Sequence, residues 1–294
     1  MLFNSSLGIY NPYKDKLHVI EFPGYSHIQA FHVGAIASDP YSGLATLIIG
    51  QGNAFETGGR NISGDNIIKK FNPRTRKFLW SLNITEVAQG VYGGFDDISH
   101  DPRGNTFFVG HYPKSVMKVD SKGTAVVPWY LPPEPIDHTI EGYSGIATAP
   151  DGKTLVVVDS LEGKIYRFDA TARNGAPVHV PHTPPEPLTR SDSVRLPPKF
   201  KGRVMLVALH RGGVAVLRSK DGRWRAAEYL GFIPSAPDVI ADRGTPVATT
   251  QIGSNLYIVS GWVTDPIVPG TVAGNRTRFP MIDITKEVDL LLKK

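Results

Sequence analysis

The residues able to do chemistry in this chain are carboxylates, imidazoles and hydroxyls, because it contains no cysteine and so offers neither a thiolate nucleophile nor a thiolate metal ligand. Most of them border short apolar runs. Asp96 and Asp97 follow a glycine pair in VYGGFDDISH, and Glu141 and Tyr143 open EGYSGIATA. His111 and Tyr112 close TFFVGHY, Asp159 and Ser160 close TLVVVDS, and His210 and Arg211 close MLVALHR. His32 lies in FHVG, Gln51 and Asn53 follow LIIG, and Trp262 follows NLYIVSG. Carboxylates and imidazoles converging on one mouth, with an indole beside them, make a candidate site for acid–base work on a small molecule.

Each of these residues also has a plainer role open to it. Asp159 can cap the turn after its run, since aspartate accepts backbone amides in turns. Asp96 and Asp97 can be a turn pair, Glu141 an exposed loop charge, His111 and His210 packing residues, and Trp262 core.

Several chemistries lack their motif. No G-x-S-x-G occurs, and GQGNAFETGG and GVYGG match neither a phosphate-binding loop nor a dinucleotide fingerprint. The net charge of +5 comes from scattered Lys and Arg, without the basic run interleaved with aromatics that a nucleic-acid groove needs. No apolar stretch reaches membrane-spanning length, and MLFNSSLGIY lacks the pattern of a secretory leader, so the expectation is a cytoplasmic protein without nucleic-acid partner or membrane span. Nothing in the residues calls for a cofactor.

The elements that must position these residues repeat. In EGYSGIATAPDGKTLVVVDSLEGKIYRFD, runs of strand length meet at Pro150-Asp151-Gly152 and at a glycine-containing loop, which reads as an antiparallel meander. FHVGAIASDPYSGLATLIIG and GGFDDISHDPRGNTFFVG repeat the scheme, and RVMLVAL with GVAVLRS gives a weaker copy. The 30 Gly and 24 Pro suit many short strands and turns. A period near fifty residues with about four strands per unit is the signature of propeller blades. The expected architecture is therefore all-β: one domain over residues 1–294, a six-bladed propeller of four-stranded antiparallel blades. The first unit shows only two strand-like pieces, so either the chain begins inside a blade or the termini together close the ring. The tail from Lys286 to Leu292 reads as strand or short helix.

In a propeller the first strands of the blades line a central channel, and the loops after the second strands share its rim. Superposing the units by their turns puts Gly34, Asp96 and Ser144 in register, with His100 on the opposite face.

The pieces YSGIATAPDGKTLVVVDSLEGKIYRFD and FDDISHDPRGNTFFVG resemble the six-bladed propellers of the senescence-marker-protein and gluconolactonase class. More closely, IYNPYKDKLHVIEFPG and SGWVTDPIVPG are similar to the propeller family of the fungal trichothecene gene cluster. The wider class holds a divalent cation with a Glu, an Asn and an Asp; here Ser144 stands at the Asn position and the Glu-bearing strand is missing, which leaves Asp96 and no expected metal. The closer resemblance implies a role in making a sesquiterpenoid mycotoxin. The expectation is a cofactor-free cyclase that closes an oxygen ring on a trichodiene-derived allylic alcohol with loss of water. Glu141 or Asp97 would be the acid; Asp96, Asp159 or His111 the base; His32, His210 and Tyr143 would orient hydroxyls. Phe55, Phe95, Tyr112 and Trp262 would form an apolar wall, and Gln51 and Asn53 would bind from the rim. The alternatives are a metal-dependent lactonase and a non-catalytic propeller that binds a terpenoid or a protein.

Overall fold

The computed structural model describes residues 5–11, 13–88, 90–269 and 274–293. Their strands form six sheets. The first is a hairpin of β1 (Ser6–Asn11) and β2 (Lys16–Glu21). The second runs through β3 (Phe31–Ser38), β4 (Ala45–Gln51), β5 (Asn66–Asn72) and β6 (Lys77–Asn83). The third contains β7 (Gly93–His100), β8 (Thr106–Tyr112), β9 (Ser115–Val119) and β10 (Val126–Tyr130). The fourth contains β11 (Tyr143–Thr148), β12 (Thr154–Asp159), β13 (Lys164–Asp169) and β14 (Val178–Val180). The fifth takes β15 (His182–Thr183), β16 (Ser191–Arg195), β17 (Val204–Leu209), β18 (Gly213–Arg218) and β19 (Ala227–Pro234), with β15 parallel to the outer edge of β19. The sixth has β20 (Thr245–Ile252), β21 (Asn255–Gly261) and β22 (Ile282–Asp283).

The strands β3, β7, β11, β16 and β20 pack against one another in series, which is the inner ring of a β-propeller. The first sheet brings no inner strand to it. Among the described residues the C-terminal segment does not supply the missing pieces: β22 completes its own sheet, and α4 (Thr285–Leu291) packs Val288 on Leu256 and Ile258. The tail is thus a helix that seals the fifth and sixth sheets together.

Local sequence explains the blades. Val156, Val157 and Val158 are β-branched and wholly buried, because the fourth sheet packs on the third through one face and on the fifth through the other, so its middle strand sees no water. The turn at Ala149 closes with Gly152 N donating to Ala149 O at 2.9 Å, while Asp151 Oδ1 accepts from the amides of Lys153 and Thr154. Gly152 has φ +65°, and a Cβ there would meet the Pro102 ring at 2.3 Å, so the turn of one blade seats on the turn of the blade before it.

The core is a series of apolar interfaces between sheets. Phe95, Ile98 and Phe108 meet Ala35, Ile48 and Ile68; Phe107, Val109 and Trp129 meet Ile146, Leu155 and Phe168. Val156 and Val158 then meet Val194 and Val207, and Leu206 and Val216 meet Leu256 and Ile258. The hairpin packs Leu7 and Phe22 on Leu47 and Phe71. Among the described residues no helix is long and apolar enough to cross a membrane.

Candidate functional site

The register of the inner strands breaks near the same end in every blade. The pairing slips between Val33 and Ala35, Phe95 and Ile98, Tyr143 and Gly145, Ser191 and Ser193, and Pro246 and Ala248. A bulge leaves one residue unpaired and re-aims its side chain. The residues at this position are Gly34, Asp96, Ser144, Asp192 and Val247, one from each inner strand. The register of Gly34, Asp96 and Ser144 expected from the turns is therefore the bulge register, and Asp192 joins it.

Two carboxylates at one level of a narrow mouth repel. Burial, then the charges of Asp192 and Asp97, hold the Asp96 carboxyl well above the usual carboxylate range. Asp96 is nonetheless only half-buried, so its tip reaches the channel. Asp192 is paired with His210, whose Nε2 lies against Asp192 Oδ2; their side chains are 23% and 38% exposed, so the pair is open to a ligand. Ser144 Oγ and Ser191 Oγ share a hydrogen bond of 2.9 Å between the two acids.

His111 enters from the end of β8. Its Nδ1 donates to the Tyr143 carbonyl at 3.1 Å, since a carbonyl can only accept, which leaves Nε2 as an acceptor. Burial lowers the imidazole pKa against the pull of that carbonyl and of Glu141, so the ring is neutral near pH 7. An aromatic wall stands beside it. The His111 and Tyr112 rings are 4.7 Å apart, and Phe55 lies 5.8 Å from both. Phe55 comes from α1 (Asn53–Glu56), in the loop after β4, and is 46% exposed. Gly94 makes room: its φ is +60°, and a Cβ there would lie 2.8 Å from the Tyr112 ring and 3.3 Å from Phe55.

Backbone bonds stitch the rim together. Ser160 N donates to Gly142 O, Arg190 N to Ser160 O and His210 N to Arg190 O, at 2.7 to 2.9 Å. The His210 loop is thereby positioned by the blade before it.

The other expected residues divide. His32 packs its ring over Gly52, where a Cβ would meet it at 2.8 Å, and Asn53 Nδ2 donates to Gln51 Oε1 at 3.4 Å; all three line the rim of the second sheet. Glu141 is an exposed rim charge close enough to act on His111 and Tyr112. Asp97 is occupied: its Oδ1 accepts the Ile98 amide at 2.9 Å and its Oδ2 the Ile146 amide at 3.1 Å, tying the third sheet to the fourth. Asp159 caps its turn, accepting from Leu161 N and Glu162 N, and takes Lys114 Nζ at 3.3 Å. Tyr143 turns into the aromatic core with Tyr130, Tyr166 and Phe168, and Phe95 packs on Phe108.

Trp262 follows β21, yet its Nε1 donates to Asp242 O at 2.9 Å and its face carries the Arg276 guanidinium at 4.6 Å. It anchors the segment after β21 rather than a wall around Asp96. On the opposite face, His100 Nε2 meets Thr46 Oγ1 at 2.8 Å beside the buried Lys70–Asp39 ion pair, as its place next to the turn requires.

Sequence reasoning missed Asp192. The signal was present: MLVALHR aligns with TFFVGHY, and counting back across the turn brings RSDSVR onto GGFDDIS. The polar composition of SDS hid an inner strand.

A carboxyl with a raised pKa, a carboxylate–imidazole pair facing it and an imidazole acceptor beside an aromatic wall can deliver one proton and collect another. The cation site of the gluconolactonase class does not fit this donor set. Gly34 and Val247 offer no side-chain ligand, Ser144 is bonded to Ser191, and among the described residues no group of three His, Asp or Glu is placed to hold a metal ion.

No protein-family model matches the chain. It is 32% identical over 308 residues to trichothecene biosynthesis protein 14 of Trichoderma arundinaceum, covering 99% of this chain and 82% of that protein. It is 29% identical over 311 residues to core trichothecene cluster protein 14 of Fusarium sporotrichioides, covering 99% and 79%. Among solved structures, the major Malassezia sympodialis allergen Mala s 1 superposes with a TM-score of 0.77 at 18% identity, covering 96% of this chain and 87% of that one.

Proposed function

The chain belongs to the family of trichothecene biosynthesis protein 14, and from that membership we propose that it acts in trichothecene biosynthesis as a cofactor-free acid–base cyclase. Its substrate is an oxygenated, trichodiene-derived allylic alcohol, a small sesquiterpenoid. The observation that carries the reading is the pair of bulge carboxylates, Asp96 with its pKa raised well above the usual carboxylate range by burial and by its acidic neighbours, and Asp192 bound to His210.

The chemistry follows from their states. Asp96 donates its proton to the allylic hydroxyl, whose C–O bond breaks and releases water. A second hydroxyl of the substrate attacks the allylic carbon, forming the C–O bond of the new ring and giving up its proton to the Asp192–His210 pair or to His111 Nε2. One proton is spent and one is gained, so transfer back to Asp96 resets the site and the net change is loss of one water. Phe55 and Tyr112 offer the hydrocarbon skeleton an apolar surface, which favours a folded substrate with the attacking hydroxyl near the reacting carbon. Glu141 adds negative potential that stabilises allylic cation character. Asp97 and Asp159 serve the reaction by fixing the strands and turns that present Asp96 and His111.

The test is incubation of chelator-treated protein with an allylic triol of the trichothecene skeleton near neutral pH, following loss of water by mass spectrometry. Protein-dependent ring closure that survives chelator is expected. If the triol is recovered at the no-protein rate, the cyclase reading fails; lactone hydrolysis only on addition of divalent cation would favour the lactonase instead.

A further inference from the structure

The far end of the channel, away from Asp96, holds a concavity of about 330 Å³ between the fifth and sixth sheets. Arg195, Pro197 and Pro198 line it from the end of β16, and Thr249, Thr250 and Gln251 from the end of β20. Two of its polar groups are donors without a hydrogen-bond partner among the described residues. Arg195 is half-buried and, among the described residues, makes no hydrogen bond or ion pair, although a guanidinium offers five N–H groups in a planar fork. The carboxylate whose charge it feels, Asp97, has turned its oxygens to the Ile98 and Ile146 amides. Thr249 Oγ1 is the second observation. Thr249 is 1% exposed, lines the concavity, and has no hydrogen-bond partner among the described residues. A buried hydroxyl left unpaired is costly and is rare without a role.

The Gln251 amide of the wall is already satisfied. Gln251 Oε1 accepts from Lys199 N at 3.1 Å and its Nε2 donates to Gly253 O at 2.8 Å, which fixes the edge of the concavity without competing for a ligand there. His100, an inner-strand base that the Arg195 charge reaches, is held neutral by burial and by Lys70, so it adds no second charge.

We propose that Arg195 and Thr249 form a binding site for a small oxyanion, a carboxylate or phosphate group, at the end of the channel opposite the acid pair. Two oxygens of the anion face the Arg195 fork and one accepts from Thr249 Oγ1; the two prolines shield the pair from water. The geometry of a bidentate guanidinium favours such planar or tetrahedral oxyanions over halides. The site is independent of the cyclase reading, since it uses none of its residues.

The experiment is a thermal-shift and calorimetric titration of the full chain with inorganic phosphate and, separately, with succinate, against chloride at matched ionic strength. A saturable rise in Tm with one or both oxyanions and none with chloride is expected, and the stronger of the two identifies the source. Arg195→Met is expected to weaken binding by about tenfold or more, the scale of a lost charge-assisted pair. Thr249→Val, which keeps the shape and removes the hydroxyl, is expected to weaken it severalfold without lowering the ligand-free Tm, and it serves if Arg195→Met does not fold. No saturable response to either anion, or equal binding by wild type and Thr249→Val, would overturn the site.

Discussion

Replacing Asp96 by Asn is expected to slow ring closure while making the fold more stable. In the native chain the Asp96 carboxyl is raised by burial and by the charges of Asp192 and Asp97, so ionising it costs folding energy. Two like charges a few ångströms apart repel by about 2–4 kcal/mol at an effective dielectric near 20, and the partial exposure of Asp96 reduces the expected gain to about 1–2 kcal/mol. For a chain of this length that is about 2–3 °C in Tm.

The sign with pH follows from the direction of the shift. Below the ordinary carboxylate pKa of about 3.9 the group is neutral in both folded and unfolded chains, and variant and wild type have equal stability. As pH rises towards the raised native value, the unfolded wild type sheds its proton while the folded one holds it, so the wild type loses stability relative to Asp96→Asn. The deficit is complete above the native pKa. Turnover moves the other way. A positioned general acid contributes about 10²–10⁴ in rate, so Asp96→Asn is expected to lose about 3–5 kcal/mol of transition-state stabilisation. The assays are thermal denaturation at pH 4 and pH 8 and ring closure by mass spectrometry at pH 7. A variant that closes the ring at the wild-type rate refutes the acid assignment. A variant that loses activity and is also less stable at pH 8 shows that Asp96 is structural.

Two further substitutions separate positioning from chemistry. Asp97→Ala strands the Ile98 and Ile146 amides, and is expected to cost about 2–4 kcal/mol of stability by denaturant unfolding while changing turnover per folded molecule by less than about tenfold. His100, whose pKa is lowered to about 3 by burial and by Lys70, keeps the folded protein from binding a proton that the unfolded chain takes up near pH 6.5, so stability falls as pH drops from there to about 3. His100→Gln, with an amide in place of the imidazole beside Thr46, is expected to remove up to about 3 kcal/mol of that acid sensitivity, read from urea midpoints at pH 7 and pH 4.

The blades were legible in the sequence because what makes them is local. Alternating β-branched runs, Asp-Pro and Pro-Asp-Gly turns and a positive-φ glycine in each turn act over a few residues. The hairpin β1–β2 as a truncated first blade, and the superposition of Gly34, Asp96 and Ser144, followed from the same local pattern. The role of each acid did not. Asp96 and Asp97 are neighbours of one residue type, yet the extra residue of the bulge sends one carboxylate into the mouth and the other onto an amide 49 residues away. Asp192 came into view only when the ring closed on Asp96 from two blades along, and Trp262 left the wall because Arg276 and Asp242 hold it elsewhere. Strand and turn are decided by backbone preference along the chain. The proton state of a carboxyl is decided by which charges and amides lie across the channel, and in a propeller those come from other blades at separations that no local pattern encodes.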